Sequence, residues 1–310
     1  MNSFCTIITP DYLPYALALR DTLVSFDSTA SLNIFISTTK EKWSAPNQDL
    51  TNSQLIFLED LCQAKIGKAI YDKYYTANKD HFRWSMKPVL IEYLLTEQNF
   101  EKVIYVDSDI CFFNKYHFLW QALDTHSILL TPHWRSAQPK TGNINFELLF
   151  TGGLYNAGFL GVAKSGLKAM RWWASACLNA CVIDSTKGLY VDQTYLNILP
   201  IYFEKVKVLK HQGCNVAGWN TEVCKRVLKG DAVLINGNTP IVFIHFAKET
   251  INKILTEADK LLLPHLQQYE KTLQKYQPSF LFKIKHGKLS NQSPFFKRIK
   301  NFLLFHLERL

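Results

Sequence analysis

Short apolar runs rich in β-branched residues alternate with longer segments of helical periodicity along most of the chain. The runs at residues 5–9, 32–37, 54–58, 103–106, 127–130 and 240–244 have strand length and little internal polarity, which suits strands covered on both faces. Between them the apolar positions recur at helical spacing. Residues 15–26 form one such segment, with Pro14 near its first turn, and residues 84–95 and 171–182 form others. A polar helix start is expected at Asp192-Gln193. Strands alternating with helices predict an α/β fold: a doubly wound, mostly parallel, Rossmann-like sheet flanked by helices. From Pro132 to Tyr155 the chain is polar, contains glycine and lacks a pattern, as expected of a mobile loop over a site.

Composition narrows the class. The chain has 310 residues, 47% hydrophobic and 20% charged, enough for one large α/β domain or two small ones. No apolar stretch approaches the roughly 18 residues of a spanning helix, so no transmembrane segment is expected. Met1-Asn2-Ser3 lacks a basic leader, so no signal peptide is expected either. Seven cysteines, at 5, 62, 111, 177, 181, 214 and 224, show no paired spacing, which predicts a reducing cytoplasm. Cys177 and Cys181 share a helical face and read as packed thiols.

The net charge of +9 is concentrated at the C-terminus: residues 251–310 hold 11 Lys and Arg against 4 Asp and Glu. A basic surface for nucleic acid would be built into the body of the fold, so nucleic acid is not an expected partner. The expected division is 1–250 as the catalytic domain and 251–310 as a basic helical tail. Within the tail, Phe295, Phe296, Ile299, Phe302, Leu303 and Leu307 recur at helical spacing among Lys297, Arg298 and Lys300. With Phe280, Phe282, Lys283 and Lys285, residues 280–310 read as an interfacial segment drawn to an anionic membrane surface, each basic group adding about 1 kcal/mol. A helix docked on the protein's own body is the alternative.

The chemistry centres on Asp107-Ser108-Asp109, which follows the apolar run 103–106 at the strand's carboxyl end, where open α/β sheets place their ligands. Two hard carboxylates there suit Mn²⁺ or Mg²⁺, and a solvated turn would use them as well. His245 follows the run 240–244 in the same way, so the three can meet at one sheet edge. Lys248, Arg83 and Lys87 are cations that could offset charge on a leaving phosphate, or solvated surface groups. Asp192 could complement a helix start, Asn156 could be a turn former, and Trp134, Trp172, Trp173 and Trp219 could stack on sugars or fill the core.

In order, Ile7-Ile8-Thr9-Pro10-Asp11-Tyr12-Leu13-Pro14-Tyr15, Tyr105-Val106-Asp107-Ser108-Asp109-Ile110, Asn156-Ala157-Gly158-Phe159, Asp192-Gln193-Thr194-Tyr195-Leu196-Asn197 and His245-Phe246 resemble the GT-A glycosyltransferases. More narrowly, they resemble family 8 and related bacterial surface-polysaccharide enzymes, over roughly residues 3–250. The resemblance implies that Asp107, Asp109 and His245 bind Mn²⁺ (or Mg²⁺), which grips the diphosphate of a nucleotide sugar, most simply a UDP-sugar. It implies that Thr9, Asp11 and Tyr12 hold base and ribose, Arg83 and Lys87 donor hydroxyls or phosphates, and Asn156 and Asp192 the donor sugar. Ser108 and Ala157 complete the donor contacts, and Gln193 would lie near the anomeric carbon. Retention of configuration is implied, with Asp192, Gln193 and Lys248 as the catalytic set.

The chain departs from the family pattern after the histidine, where Phe246-Ala247-Lys248-Glu249-Thr250-Ile251-Asn252-Lys253 replaces the usual Gly and Lys-Pro-Trp. The phosphate-binding lysine is therefore Lys248 or Lys253. Residues 213–220 resemble a donor-side segment of the polysaccharide enzymes. The expected acceptor is a saccharide or glycolipid, met at the cytoplasmic face of the cell membrane by a peripheral enzyme. Other readings are a haloacid-dehalogenase-type phosphatase, a sugar nucleotidyltransferase, whose N-terminal glycine-rich loop is missing, and a non-catalytic nucleotide-sugar-binding scaffold.

Overall fold

A computed structural model describes residues 1–44, 47–139 and 142–283. Its central sheet is built from β1 (Asn2–Ile8), β2 (Leu32–Ile36), β3 (Ser53–Ile56) and β4 (Lys102–Val106), all mutually parallel. A short strand, β5 (Ile110–Phe112), turns away from it after β4. The sheet continues through β6 (Ile128–Pro132), β7 (Tyr155–Ala163) and β8 (Val206–Val208) to give the order β8-β6-β7-β4-β1-β2-β3. Only β7 runs antiparallel to its neighbours, pairing Val106 with Phe159 on one side and Leu130 with Leu160 on the other.

Alternation along the strands divides the core into two halves, one on each face of the sheet. Cys5, Ile7, Val103 and Tyr105 pack into one half; Phe4, Ile8, Ile104 and Val106 pack into the other. The second half is covered by α1 (Leu13–Val24), which contributes Leu13, Ala16, Leu17, Leu19 and Leu23. The first half is covered by helices further along the chain. Where one helix is expected over 84–95, the chain forms two, α2 (Lys79–Ser85) and α3 (Lys87–Thr96). Asn78 caps α2 through the amides of Asp80 and His81, and Pro88, which has no amide hydrogen, sits in the first turn of α3.

The stretch 132–155 is more ordered than its lack of pattern suggests. It holds α4 (Ile144–Thr151), capped by the Asn143 side chain, which accepts from the amides of Asn145 and Phe146. The helix was hidden because no apolar face is buried; none of its residues is fully covered. Asn156-Ala157-Gly158 then lie on the first residues of β7. The next helix, α5 (Leu167–Asn179), buries Ala169, Met170, Trp173, Ala174 and Cys177 against the sheet. Asp192 and Gln193 precede a 3-10 turn at Thr194–Ile198 in place of the expected helix start.

A final strand, β9 (Phe243–His245), pairs antiparallel with β5, setting His245 opposite Ile110. It is followed by α6 (Lys248–Leu255) and α7 (Leu263–Gln274). One compact unit spans Met1–Phe280, so the sequence-based division at residue 250 falls inside it. Burial of Leu266, Tyr269 and Leu273 accounts for this, together with Tyr276 and Lys275, which reach Asp21 on α1 at 2.8 and 3.0 Å. Phe280, expected in the interfacial segment, meets Tyr15 edge-on. The tail residues Lys285, Phe295, Phe296, Lys297, Arg298, Ile299, Lys300, Phe302, Leu303 and Leu307 lie outside the described residues. Among the described residues no helix is long and apolar enough to cross a membrane. All seven cysteines are free, and Cys177 and Cys181 are fully buried.

Candidate active site

The turn between β4 and β5 is closed by the Ile110 amide, which donates to the carbonyl of Asp107 at 3.0 Å. It projects Asp107, Ser108 and Asp109 from the carboxyl end of the sheet. Because β9 pairs with β5, His245 arrives beside the same turn; its Nε2 lies 3.1 Å from Asp109 and 3.9 Å from Asp107. One ligand atom from each of the three falls within 4.8 Å of the others. Two carboxylate oxygens and an imidazole make a donor set suited to Mn²⁺ or Mg²⁺. Burial raises the Asp109 carboxyl, but the facing His245 outweighs it and holds the pKa below its ordinary value. Conversely, burial of His245 is outweighed by Asp109 and Asp107, and its pKa is raised.

Glycine is required beside this cluster. A Cβ at Gly158 would stand 2.5 Å from His245 Cε1 and 2.8 Å from Asp107 Oδ2. The other oxygen of Asp107 accepts from the buried Tyr105 hydroxyl at 2.6 Å and faces Lys87 at 3.4 Å, which fixes the carboxylate's orientation. Residues 213–220 back the histidine: Val216 accepts from the His245 amide at 2.9 Å, and Trp219 packs edge-on to its ring at 5.2 Å.

Beside the cluster is a small cavity of about 130 Å³, lined by Trp84, Lys87, Asn156, Tyr190, Asp192 and Gln193 among others. Lys87 is buried at its base. It donates to the Ala157 carbonyl at 3.0 Å and lies 3.2 Å from Asp192. Burial alone would lower the Lys87 pKa, but Asp107 and Asp192 outweigh it and raise the pKa. Burial pushes Asp192 upward, opposed by Lys87. Trp173 donates to the Asp192 carbonyl at 2.8 Å, so one residue of the double Trp supports the site from the core. Gln193 is pinned at both ends, its oxygen accepting from the Ala157 amide at 3.1 Å and its nitrogen donating to the Gly152 carbonyl at 2.7 Å.

Asn156 is oriented by a residue the sequence reading passed over. His133, buried at the end of β6, lies 2.8 Å from the Gly153 carbonyl through Nδ1 and 3.2 Å from the Asn156 amide nitrogen through Nε2. Burial, with Arg135 nearby, lowers its pKa to about 3, so a neutral ring donates at Nδ1 and accepts at Nε2. The signal was present, since His133 follows an apolar strand just as His245 does. Tyr105 gave no such signal, because an apolar strand absorbs a tyrosine without breaking its pattern.

The remaining expected residues divide. Thr9 directly follows β1, and Asp11 and Tyr12 are exposed on the 3-10 turn after it, Tyr12 stacking on Tyr15 at 5.0 Å. The Tyr15 hydroxyl, on the first turn of α1, is pushed up to about 12 by burial, Tyr12 and Asp109. Arg83 pairs with Asp80 on its own helix and does not line the cavity. Lys248 is exposed at the start of α6, whereas Lys253 donates to the Gly218 carbonyl at 2.6 Å and lies 3.1 Å from Glu249.

Known proteins resemble this chain mainly in fold. The galactosyltransferase LgtC, solved with donor and acceptor sugar analogues, superposes with a TM-score of 0.53 over 81% of this chain and 89% of its own, at 15% identity. An active-site mutant of LgtC gives 0.51 over 80% and 87%, at 14% identity. Two uncharacterized proteins of Bacillus subtilis (strain 168) match in sequence. YfnF is 25% identical over 287 residues, covering 88% of this chain and 91% of its own length. YfnD is 28% identical over 213 residues, covering 66% and 63%. No family model matches the chain. The mostly parallel sheet, its single reversed strand and the superposition together establish that the chain has the fold of the GT-A glycosyltransferases.

Proposed function

We propose that the protein is a metal-dependent, retaining glycosyltransferase that moves a hexose from a nucleoside diphosphate sugar, a UDP-sugar, to a saccharide acceptor in surface polysaccharide or lipooligosaccharide synthesis. The observation that carries this reading is the convergence of Asp107, Asp109 and His245 beside a cavity floored by Lys87 and Asp192. Those three residues would hold Mn²⁺ (or Mg²⁺), which when bound neutralises charge on the departing diphosphate. Thr9, Asp11 and Tyr12 would take the base and ribose. Lys87, Asn156, Ala157 and Asp192 would bound the donor sugar, with Ser108 at the diphosphate.

Gln193 has both ends of its amide fixed by backbone, so it would present a rigid surface to the anomeric carbon and be a poor nucleophile. Asp192 is held by Lys87, which argues against a covalent glycosyl intermediate on its carboxylate. These contacts support front-face attack by the acceptor hydroxyl as the diphosphate departs; a sugar trapped on Asp192 would overturn it. Lys248 is exposed and Lys253 is already engaged, which favours Lys248 as the cation at the leaving phosphate. Arg83, paired with Asp80, would need to change partner to reach the donor. The GT-A fold sets aside the phosphatase reading, and turnover would exclude the scaffold.

Thermal unfolding with UDP, GDP, CDP or ADP, each with and without Mn²⁺, tests the proposal, because a ligand of the native state raises the midpoint. UDP with Mn²⁺ is expected to raise it and UDP alone to do so much less. No metal-dependent shift with any nucleotide would refute the donor-site reading.

A further inference from the structure

Among the described residues, four of the five arginines lie beside a carboxylate: Arg20 with Asp21, Arg83 with Asp80, Arg171 with Glu92 and Arg226 with Asp259. Arg135 is the exception. It is largely buried on the segment after β6, and its Nη1 donates to the Asn145 side-chain oxygen at 3.3 Å. Its Nε is buried without a partner among the described residues. A guanidinium carries five N–H groups in a planar fork that matches carboxylate or phosphate, and leaving them unused under cover is costly. Burial lowers its pKa despite Glu249, yet it remains charged. The preceding residue, Trp134, is held at φ 52°, a strained conformation for a bulky side chain of the kind that collects at ligand clamps.

Arg135 follows two residues after His133, whose ring meets Asn156 on the cavity wall at 3.2 Å. Its partner Asn145 belongs to the first turn of α4, and that helix supplies the second observation. Ile144 and Phe150 are 47% and 68% exposed, Leu154 just beyond is 46% exposed, and no residue of α4 is fully buried. A guanidinium with no carboxylate in ion-pair contact among the described residues therefore adjoins an apolar helix lacking its cover. One amphiphile satisfies both.

Resting on the glycosyltransferase reading, we propose that Arg135 and α4 form an acceptor subsite for a saccharide carried on a lipid phosphate, with the phosphate on Arg135 and the hydrocarbon along Ile144, Phe150 and Leu154. The enclosed guanidinium suits a single headgroup entering the cleft rather than the plane of a bilayer. The subsite differs from the donor site in its residues and in needing no metal.

Binding of decyl phosphate, decyl maltoside and inorganic phosphate to the full-length protein tests this, all below micelle-forming concentrations. Decyl phosphate is expected to bind roughly tenfold or more tightly than decyl maltoside, as a charged hydrogen bond would give. Arg135→Gln should abolish that preference and leave decyl maltoside unchanged, and Arg135→Lys should restore part of it. Phe150→Ser, at an exposed position, should weaken both alkyl ligands and spare inorganic phosphate. Equal decyl phosphate affinity in wild type and Arg135→Gln would overturn the proposal. So would inorganic phosphate binding as tightly as decyl phosphate, since the site would then take a free anion. The UDP and Mn²⁺ thermal shift, measured on the same samples, should be unaltered by every one of these variants; its absence from wild type would sink the donor-site reading and leave the alkyl phosphate comparison readable.

Discussion

Gly158 leaves no room for a methyl group between His245, Asn156 and Asp107. Gly158→Ala should therefore cost about 1–3 kcal/mol through overpacking. It should also remove the Mn²⁺-dependent part of the UDP thermal shift, because two groups of the acidic cluster must retreat; a shift of wild-type size would contradict this. Asp109→Asn keeps the shape and loses a charge. Transfer and metal-dependent donor binding should fall by more than the roughly 10- to 100-fold typical of outer-shell changes at metal sites, with the far-UV spectrum unchanged. Full activity would refute the metal assignment.

Lys87 poses the opposite problem, because its removal strands two carboxylates. Lys87→Met should destabilise the protein by about 3–5 kcal/mol in denaturant unfolding, and adding Asp192→Asn should recover part of the loss. At this scale the chain was unevenly legible. Asp107, Asp109 and His245 could be read because each follows an apolar run, a pattern set by the backbone. Tyr105 could not, because an apolar strand absorbs a tyrosine, nor could the pinned amide of Gln193, whose partners Ala157 and Gly152 come from a distant segment that no local pattern names.

Elements were more legible than their junctions. The strands of the central sheet were visible because burial on both faces requires uninterrupted apolar residues, and Phe4, Ile34, Phe35, Ile104 and Val106 supply them. The helix α4 was invisible because it buries nothing, and the break between α2 and α3 because a continuous apolar face bridges it. The docking of α7 through Leu266, Tyr269 and Leu273 could not be read either, because the helix it meets lies near the other end of the chain. That docking carries a pH signature. Burial raises the Asp21 carboxyl, but hydrogen bonds from Tyr276, Arg20 and Lys275 and the Arg20 charge together outweigh it, and the pKa lies below its ordinary value. A depressed folded-state pKa contributes stability that is present above the unfolded value, about 3.9, and is lost as pH falls through the folded one. Asp21→Asn should accordingly make acid unfolding less steep over that window. An unchanged acid limb would show that the contact contributes nothing.

For the whole molecule, the expected contact with an anionic membrane surface rests on residues beyond the compact unit. Full-length protein should sediment with phosphatidylserine-containing vesicles at low salt and be released as salt rises, while a chain ending at Ser279 should remain in solution. Equal sedimentation of both would sink the idea.

The pairing of β5 with β9 has a consequence in time. Asp107 and Asp109 are translated long before His245, and the stretch between them holds β6, β7, β8 and the segment that backs the histidine. A nascent or truncated chain can build most of the sheet and still lack the third group of the cluster. Closing so long a loop costs entropy that pairing must repay, and any ion held across the junction would add its binding energy to that closure. The cluster is thus completed late and all at once, so on the proposed function an unfinished chain would have no means of consuming an activated sugar.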